Sequence, residues 1–407
     1  MDDPDNRSPI GYMYAPDVAL GPDGRYYLYY FYTSRTAEHK IKVAVCDTPA
    51  GHYTYYGEIK TEKEKQFIPF DPAIFVDEDE RVWLYYGSAF QMGGSIFKAL
   101  GGAVIELDRD MLTPISAPKL TVPNIFHQKG TTFKGHAFFE ASSMRKIKGK
   151  YYFIYSSMLS NEFCYAISER PDGPFTYGGI IVSNGDVGLN GNKLAVYPTG
   201  NNHGSVECIN GKWYVFYHRH TQGSAFSRQG CAEPIEIEAD SRIRQVAITS
   251  CGLNGVALSA DGEYPAGICC YLTDTKKWKK VKPACVDEEY EMGSPVSFVS
   301  NLKSDSVVGY KYFELNKSKQ LTLYVRLSLA EVSMMKSLAT NQCRAEGRIE
   351  IYSSVDREPI AKKNLVLYAG DWETVLVDLP VIGNTALYIK FVGNGAIDLK
   401  SIKFEDK

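Results

Sequence analysis

The sequence predicts an all-β protein in two parts, and three observations carry that prediction. An aromatic strand pattern recurs four times in the first half, separated by turn residues and with little helical periodicity between the copies. Tyrosine supplies 29 of the 407 residues, and aromatic side chains favour strands and stacking surfaces. From about residue 286 the chain alternates apolar and polar positions with period two to its end.

The four copies are GPDGRYYLYY (21–30), DEDERVWLYYG (77–87), KIKGKYYFIYSS (146–157) and CINGKWYVFYH (208–218). Each sets a turn rich in glycine or acidic residues before an aromatic run, so each reads as a β-hairpin. The runs IKVAVCDT (41–48), GGAVIEL (101–107) and FCYAISE (163–169) supply further strands of each unit. A repeat of about 60 residues built from such hairpins predicts a β-propeller of the five-bladed type with four blades visible in this chain, over residues 1–258. Residues 259–285 read as a linker. Residues 286–407 read as a β-sandwich or jelly roll, from VVGYKYFEL, KQLTLYVRLSL, GRIEIYSS, NLVLYAG, WETVLVDL, TALYIKFVG and AIDLKSIKFE.

Composition excludes several classes of partner. A net charge of −3 gives no electrostatic case for nucleic acid or an anionic membrane. The basic cluster KKWKK (276–280) reads as a solvated strand or linker. No apolar run approaches the roughly 18 residues of a membrane-spanning helix, and MDDPDNRSP has no signal-peptide character. The nine cysteines (46, 164, 208, 231, 251, 269, 270, 285 and 343) make no CxxC pair, which argues against zinc and for free thiols in a reducing, cytoplasmic compartment.

A polar residue precedes each aromatic run by a similar distance: Asp17 in YAPDV, Asp71 in FDPAIF, Glu140 in FFEASS and His203 in NNHGSVE. The first strand of each propeller blade lines the central axis, so these residues are expected at equivalent positions around one cavity. A carboxylate at the mouth of a buried strand is either a satisfied structural group or a proton donor with raised pKa. Converging carboxylates with aromatic walls suit glycosidic bond cleavage, where one acid protonates the leaving oxygen and one carboxylate activates water. Phe138, Phe139, Trp83, Tyr12 and Tyr14 are candidate sugar-stacking rings, although most strand aromatics serve packing.

The strings MYAPDV, PFDPAIFVDEDERVWLYYG, GHAFFEASSMRKIKGKYYFIYSS and TGNNHGSVECINGKWYVFYHRHT resemble glycoside hydrolase family 43, in order, over roughly residues 1–255. The resemblance implies a five-bladed propeller enzyme that cleaves arabinosyl or xylosyl linkages with inversion, acts on an oligo- or polysaccharide, and requires no cofactor. It makes Glu140 the general acid and Asp71 the residue that orients the acid and tunes its pKa. It makes His203 an axial histidine that binds a structural calcium through water, and Arg228, in FSRQG, a ligand of substrate or of the carboxylates. Phe139 and Asp17 join the expected substrate contacts, Asp17 also reading as a supporting residue.

Each role has a plainer counterpart. Asp71 before Pro72 shapes a strand entry, His203 is satisfied by Asn201 or Asn202, and Arg228 pairs with Glu233 or Asp240. The family's general base lies upstream of the YAPDV-like motif, which here begins at Met13, so the base is expected to be absent from this chain unless Asp2, Asp3 or Asp5 replaces it. Dimerisation or a separate N-terminal fragment would then close the ring. The alternative reading is a glycan-binding propeller without catalysis. The C-terminal part resembles a family 6 carbohydrate-binding module more loosely, with Trp372 at a position read as core packing.

Overall fold

A computed structural model describes residues 11–34, 39–60, 68–92, 95–274, 283–304, 306–328 and 344–407. Asp2, Asp3, Asp5 and the KKWKK cluster lie outside these. The strands fall into two compact units, residues 1–182, 201–217 and 235–245 in one, residues 183–200, 218–234 and 246–407 in the other. Among the described residues no helix is long and apolar enough to cross a membrane.

The first unit is built from consecutive antiparallel sheets. Strands β1 (Gly11–Leu20), β2 (Tyr26–Ser34), β3 (His39–Cys46) and β4 (Thr54–Glu58) pair in sequence order. So do β5 (Ile68–Val76), β6 (Val82–Met92), β7 (Ser95–Leu107) and β8 (Lys119–Pro123), and then β9 (Phe138–Ile147), β10 (Lys150–Ser157), β11 (Glu162–Ser168) and β12 (Thr176–Ser183). β13 (Ser205–Ile209) pairs with the start of β14 (Lys212–Thr221) in this unit, while residues 218–234, the rest of β14 and nearly all of β15 (Ser224–Ile235), belong to the second. Each of the four repeated segments holds a hairpin turn, as its residues predict. Lys148–Gly149 and Asn210–Gly211 both take positive φ and close two-residue loops, the geometry that matches strand twist. Gly24 and Glu80 take the left-handed position of three-residue loops closed by Gly21–Arg25 and Asp77–Arg81.

Successive sheets bury their faces against each other. Tyr27, Tyr29, Ile41 and Val43 pack with Ile74, Val82, Leu84 and Ile105, and on the other side of the second sheet Ala73, Trp83, Tyr85 and Val104 pack with Phe138, Met144, Phe153 and Tyr155. The abundance of tyrosine has a physical reason here. The rings fill the core while the hydroxyls reach loop carbonyls: Tyr29 to Met111, Tyr85 to Pro171 at 2.7 Å, Tyr152 to Ser241 at 2.8 Å and Tyr155 to His136 at 2.7 Å. Phenylalanine would leave those carbonyls without a partner. Phe138 and Trp83, considered above as sugar platforms, are instead core residues, 0% and 5% exposed.

The second unit holds two six-stranded sheets. One orders β16 (Leu258–Ser259), β21 (Ser306–Leu315), β26 (Gly383–Asn394), β23 (Arg344–Tyr352) and β24 (Ala361–Tyr368), with β18 (Tyr271–Asp274) on β21. The other orders β19 (Cys285–Glu291), β20 (Ser294–Leu302), β27 (Ile397–Asp406), β22 (Lys319–Leu327) and β25 (Glu373–Leu379), with β17 (Gly262–Pro265) on β27. The stretch read as a linker is thus partly built into this unit: 262–265 pair with 401–404, and 271–274 with 306–309. Short strands bounded by glycine and proline carry too little periodicity to be told from a connector. Trp372 is engaged internally, its Nε1 donating to Glu289 at 3.1 Å, its ring 5.7 Å from Phe298 and 4.0 Å from the Arg326 guanidinium.

Candidate functional site

The leading strands of the sheets are neighbours in the order β1, β5, β9, and β13 touches β9. β1, β5 and β9 share a bulge at one point, where two residues oppose one on the partner strand, and β9 shifts register a second time at Phe139. The first bulged residue takes a left-handed conformation in every case: Ala15 (φ 48), Asp71 (φ 48) and Ala141 (φ 67). Positive φ is uncommon outside glycine, so its recurrence at one point of the repeat marks a designed bend.

The bulges correct the expected equivalence of the carboxylates. Tyr14, Phe70 and Glu140 are the matching positions before the bulge, opposite Phe31, Gly87 and Ser156. Asp71 is itself the bulged residue, and Asp17 follows the bulge, matching Ala73 and Ser143. Similar spacing to the aromatic runs concealed this, because the hairpin turns differ in length and the bulge adds a residue.

Two of the predicted residues are nevertheless drawn to the neighbourhood of a third. Asp71 Oδ2 accepts the backbone N–H of Ala141 at 2.9 Å, the residue beside Glu140. The same oxygen lies 4.0 Å from His203 Nδ1. Asp71 is only 13% exposed and Glu140 is half-buried. Asp71 therefore stands between His203 and the backbone beside Glu140. Phe139 is half-buried on β9 beside Glu140 in sequence. Gly204 fixes the approach of the histidine: a Cβ there would stand 1.8 Å from the Phe216 carbonyl oxygen. Gly204→Ala is expected to lower stability by about 1–3 kcal/mol, as overpacking against backbone does, measured as a fall in the urea midpoint.

Asp17 occupies a second charged cluster. Its Oδ2 accepts the N–H of Ile74 at 2.9 Å, tying β1 to β5. Burial pushes its pKa up to about 6, opposed by the charge of Arg145 and assisted by Glu207. Arg145 in turn reaches Glu207 at 3.1 Å and the Met144 carbonyl at 2.6 Å. Neither Arg145 nor Glu207 was singled out in the sequence, where each reads as an ordinary exposed strand charge. An acid with raised folded pKa favours its protonated form in the fold, so its contribution to stability is present below about pH 4 and lost as pH rises through 6. The shift from 3.8 to about 6 corresponds to roughly 3 kcal/mol between protonation states, reduced by solvent screening to roughly 1–2 kcal/mol. Asp17→Asn keeps an acceptor for Ile74 and is expected to gain that amount at pH 8 and nothing below pH 4, read from urea unfolding across pH.

Arg228 lies on β15 in the second unit, where its Nε donates to the Ala225 carbonyl at 2.9 Å. The partners considered for it have other bonds: Glu233 takes the N–H and hydroxyl of Thr249 at 2.6 Å each, and Asp240 takes Arg242 at 2.6 Å. A calcium at His203, implied by the resemblance, finds an imidazole nitrogen where calcium prefers six to eight oxygens. The Asp71 carboxylate, 4.0 Å from His203 Nδ1, also accepts Ala141 N–H, so the expected calcium contact is one made through water.

Residues 2–243 match the family model described as Glycosyl hydrolases family 43. A xylosidase/arabinosidase of Thermoclostridium stercorarium is 40% identical over 98% of this chain and 84% of its own length. Xylosidase/arabinosidase 43A of Humicola insolens is 32% identical over 51% of this chain and 65% of its own. A solved β-xylosidase/α-arabinofuranosidase from a compost microbial metagenome, in complex with xylotriose and in a calcium-free form, is 28% identical with a TM-score of 0.47, over 57% of this chain and 73% of that one.

Proposed function

The chain belongs to glycoside hydrolase family 43, and from that premise we propose that it hydrolyses xylosyl or arabinosyl linkages with inversion, Glu140 serving as general acid. The observation that carries the reading is the 2.9 Å bond from Ala141 N–H to Asp71 Oδ2. It holds the backbone beside Glu140 against a second carboxylate, whose negative charge favours the protonated form of the acid. The consecutive sheets of the first unit are read as propeller blades whose bulged leading strands face the substrate. The two sheets of the second unit are read as an accessory jelly roll.

In the reaction Glu140 transfers its carboxyl proton to the glycosidic oxygen as the bond from that oxygen to the anomeric carbon breaks. A water attacks the anomeric carbon from the opposite face and gives its proton to a carboxylate base. The resemblance places that base upstream of YAPDV, where the acids of this chain are Asp2, Asp3 and Asp5, outside the described residues; one of them would have to serve, or hydrolysis would be crippled. Asp71 orients the acid through the Ala141 contact, and His203 stands beside Asp71 to fix it. The xylosidase/arabinosidase of Thermoclostridium stercorarium supports the pentoside class, because the match spans nearly the whole of this chain.

The test is hydrolysis of aryl β-xylosides and α-arabinofuranosides, with the first-formed anomer followed by NMR. Release of the inverted sugar supports the reading. Binding of xylo- or arabino-oligosaccharides without turnover would replace it with the glycan-binding alternative.

A further inference from the structure

We propose that the third sheet carries a binding site for a divalent cation of the zinc type, made by His136, Glu162 and Cys164. The site is separate from the carboxylates assigned to hydrolysis and does not rest on that assignment. His136 lies in the turn before β9, while Glu162 and Cys164 are alternate residues of β11, so their side chains share one face. The donor atoms of all three lie within 4.8 Å of one another. His136 Nδ1 is 2.8 Å from Glu162 Oε2, and Cys164 Sγ is 3.7 Å from the same oxygen. Ligand atoms on a tetrahedral zinc with bonds of about 2.0–2.3 Å stand roughly 3.3–3.6 Å apart. The sulfur–oxygen pair is already at that separation, and the nitrogen–oxygen pair needs to open by about half an ångström.

The surroundings hold these donors as ligands are held. The His136 ring stacks on Tyr177 at 4.6 Å and 8°, and its carbonyl accepts the Tyr155 hydroxyl at 2.7 Å. Ser157 Oγ donates to Glu162 Oε2 at 2.8 Å, the kind of outer hydrogen bond that orients a ligating carboxylate. Glu162 is 4% and Cys164 0% exposed. A carboxylate buried beside a thiol is costly unless its charge is balanced. A divalent cation bound to one carboxylate, one thiolate and a neutral imidazole makes a neutral set. Binding releases the Cys164 thiol proton to water and leaves the imidazole proton on Nε2. Sulfur with nitrogen selects zinc over magnesium or calcium, which take oxygen ligands. His136 is partly exposed, at 28%, the part of the site nearest solvent.

The experiment uses the full chain, stripped by a chelator and titrated with Co²⁺ and then Zn²⁺. One equivalent of cobalt is expected to give a thiolate-to-cobalt charge-transfer band with tetrahedral d–d intensity, and zinc to abolish both. Zinc is also expected to raise Tm reversibly. Cys164→Ser should lose the charge-transfer band, His136→Asn should weaken cobalt binding at least tenfold, and Cys208→Ser, at an exposed thiol, should change neither. Absence of the band at millimolar cobalt, or its survival in Cys164→Ser, would overturn the site. Should Cys164→Ser fail to fold, an unchanged cobalt spectrum and affinity in His136→Asn overturns it equally.

Discussion

Glu140→Gln is expected to lose about 10²–10⁴-fold in kcat/KM on aryl xylosides and arabinofuranosides, the usual contribution of general acid catalysis. The amide matches the carboxyl in shape and cannot deliver a proton to the leaving oxygen. Substrate contacts and packing are kept, so the far-ultraviolet circular dichroism and Tm should stay within error of the parent. The loss should grow with leaving-group basicity, being small for a dinitrophenyl glycoside and largest for a natural oligosaccharide, because acidic phenols depart with little protonation. A variant equal to the parent on xylobiose would remove Glu140 from the role.

Asp71→Asn is expected to lower kcat about 10-fold on the alkaline side of the optimum, because a fall of about one unit in the acid's pKa leaves about a tenth as much of it protonated. Asparagine tolerates the left-handed backbone that Asp71 adopts at φ 48, so the fold should persist. The amide oxygen still accepts Ala141 N–H, and what is lost is negative charge next to the acid. With that charge gone, the acid ionises more readily, and the alkaline limb of the pH–rate profile should move to lower pH by about one unit. Activity that falls with an unmoved alkaline limb would mean that Asp71 positions backbone only. Asp71→Ala, which removes both the acceptor and the charge, should be worse than Asp71→Asn.

The fold class was legible because the repeat is written in aromatic runs and turn residues whose physics is local. Lys148–Gly149 and Asn210–Gly211 announce their turns, and YYFIYSS can be little other than a buried strand. What stayed hidden is non-local. A bulge shifts which face a residue takes; Pro16 and Pro72 hint at two of the three, since proline inside a strand sits at an edge or a bulge, but Ala141–Ser142 carries no such mark. The equivalence expected of Asp17, Asp71 and Glu140 failed for that reason. Trp83 and Phe138 look like any other aromatic until the neighbouring sheet covers them. Asp17 owes its raised pKa to burial, which Arg145 opposes and Glu207 assists, and all of these come from strands far from it in sequence. The short strands at 262–265 and 271–274 are set by pairing with residues more than a hundred positions downstream in one case, and no window on the chain contains both partners. Family resemblance, by contrast, pointed to Glu140, Asp71 and His203 through motif order, which carries spatial information that no single window holds.

The repeated left-handed kink has an evolutionary reading. Because the kink sits at one fixed place while packing residues lie on either side of it, a carboxylate can migrate a step along the strand without disturbing the layer beneath. Tyr14 and Phe70 occupy the slot that Glu140 fills. The scaffold thus offers three aiming angles per blade, and a lineage could redeploy its acids for new sugars by single replacements while leaving the interior alone.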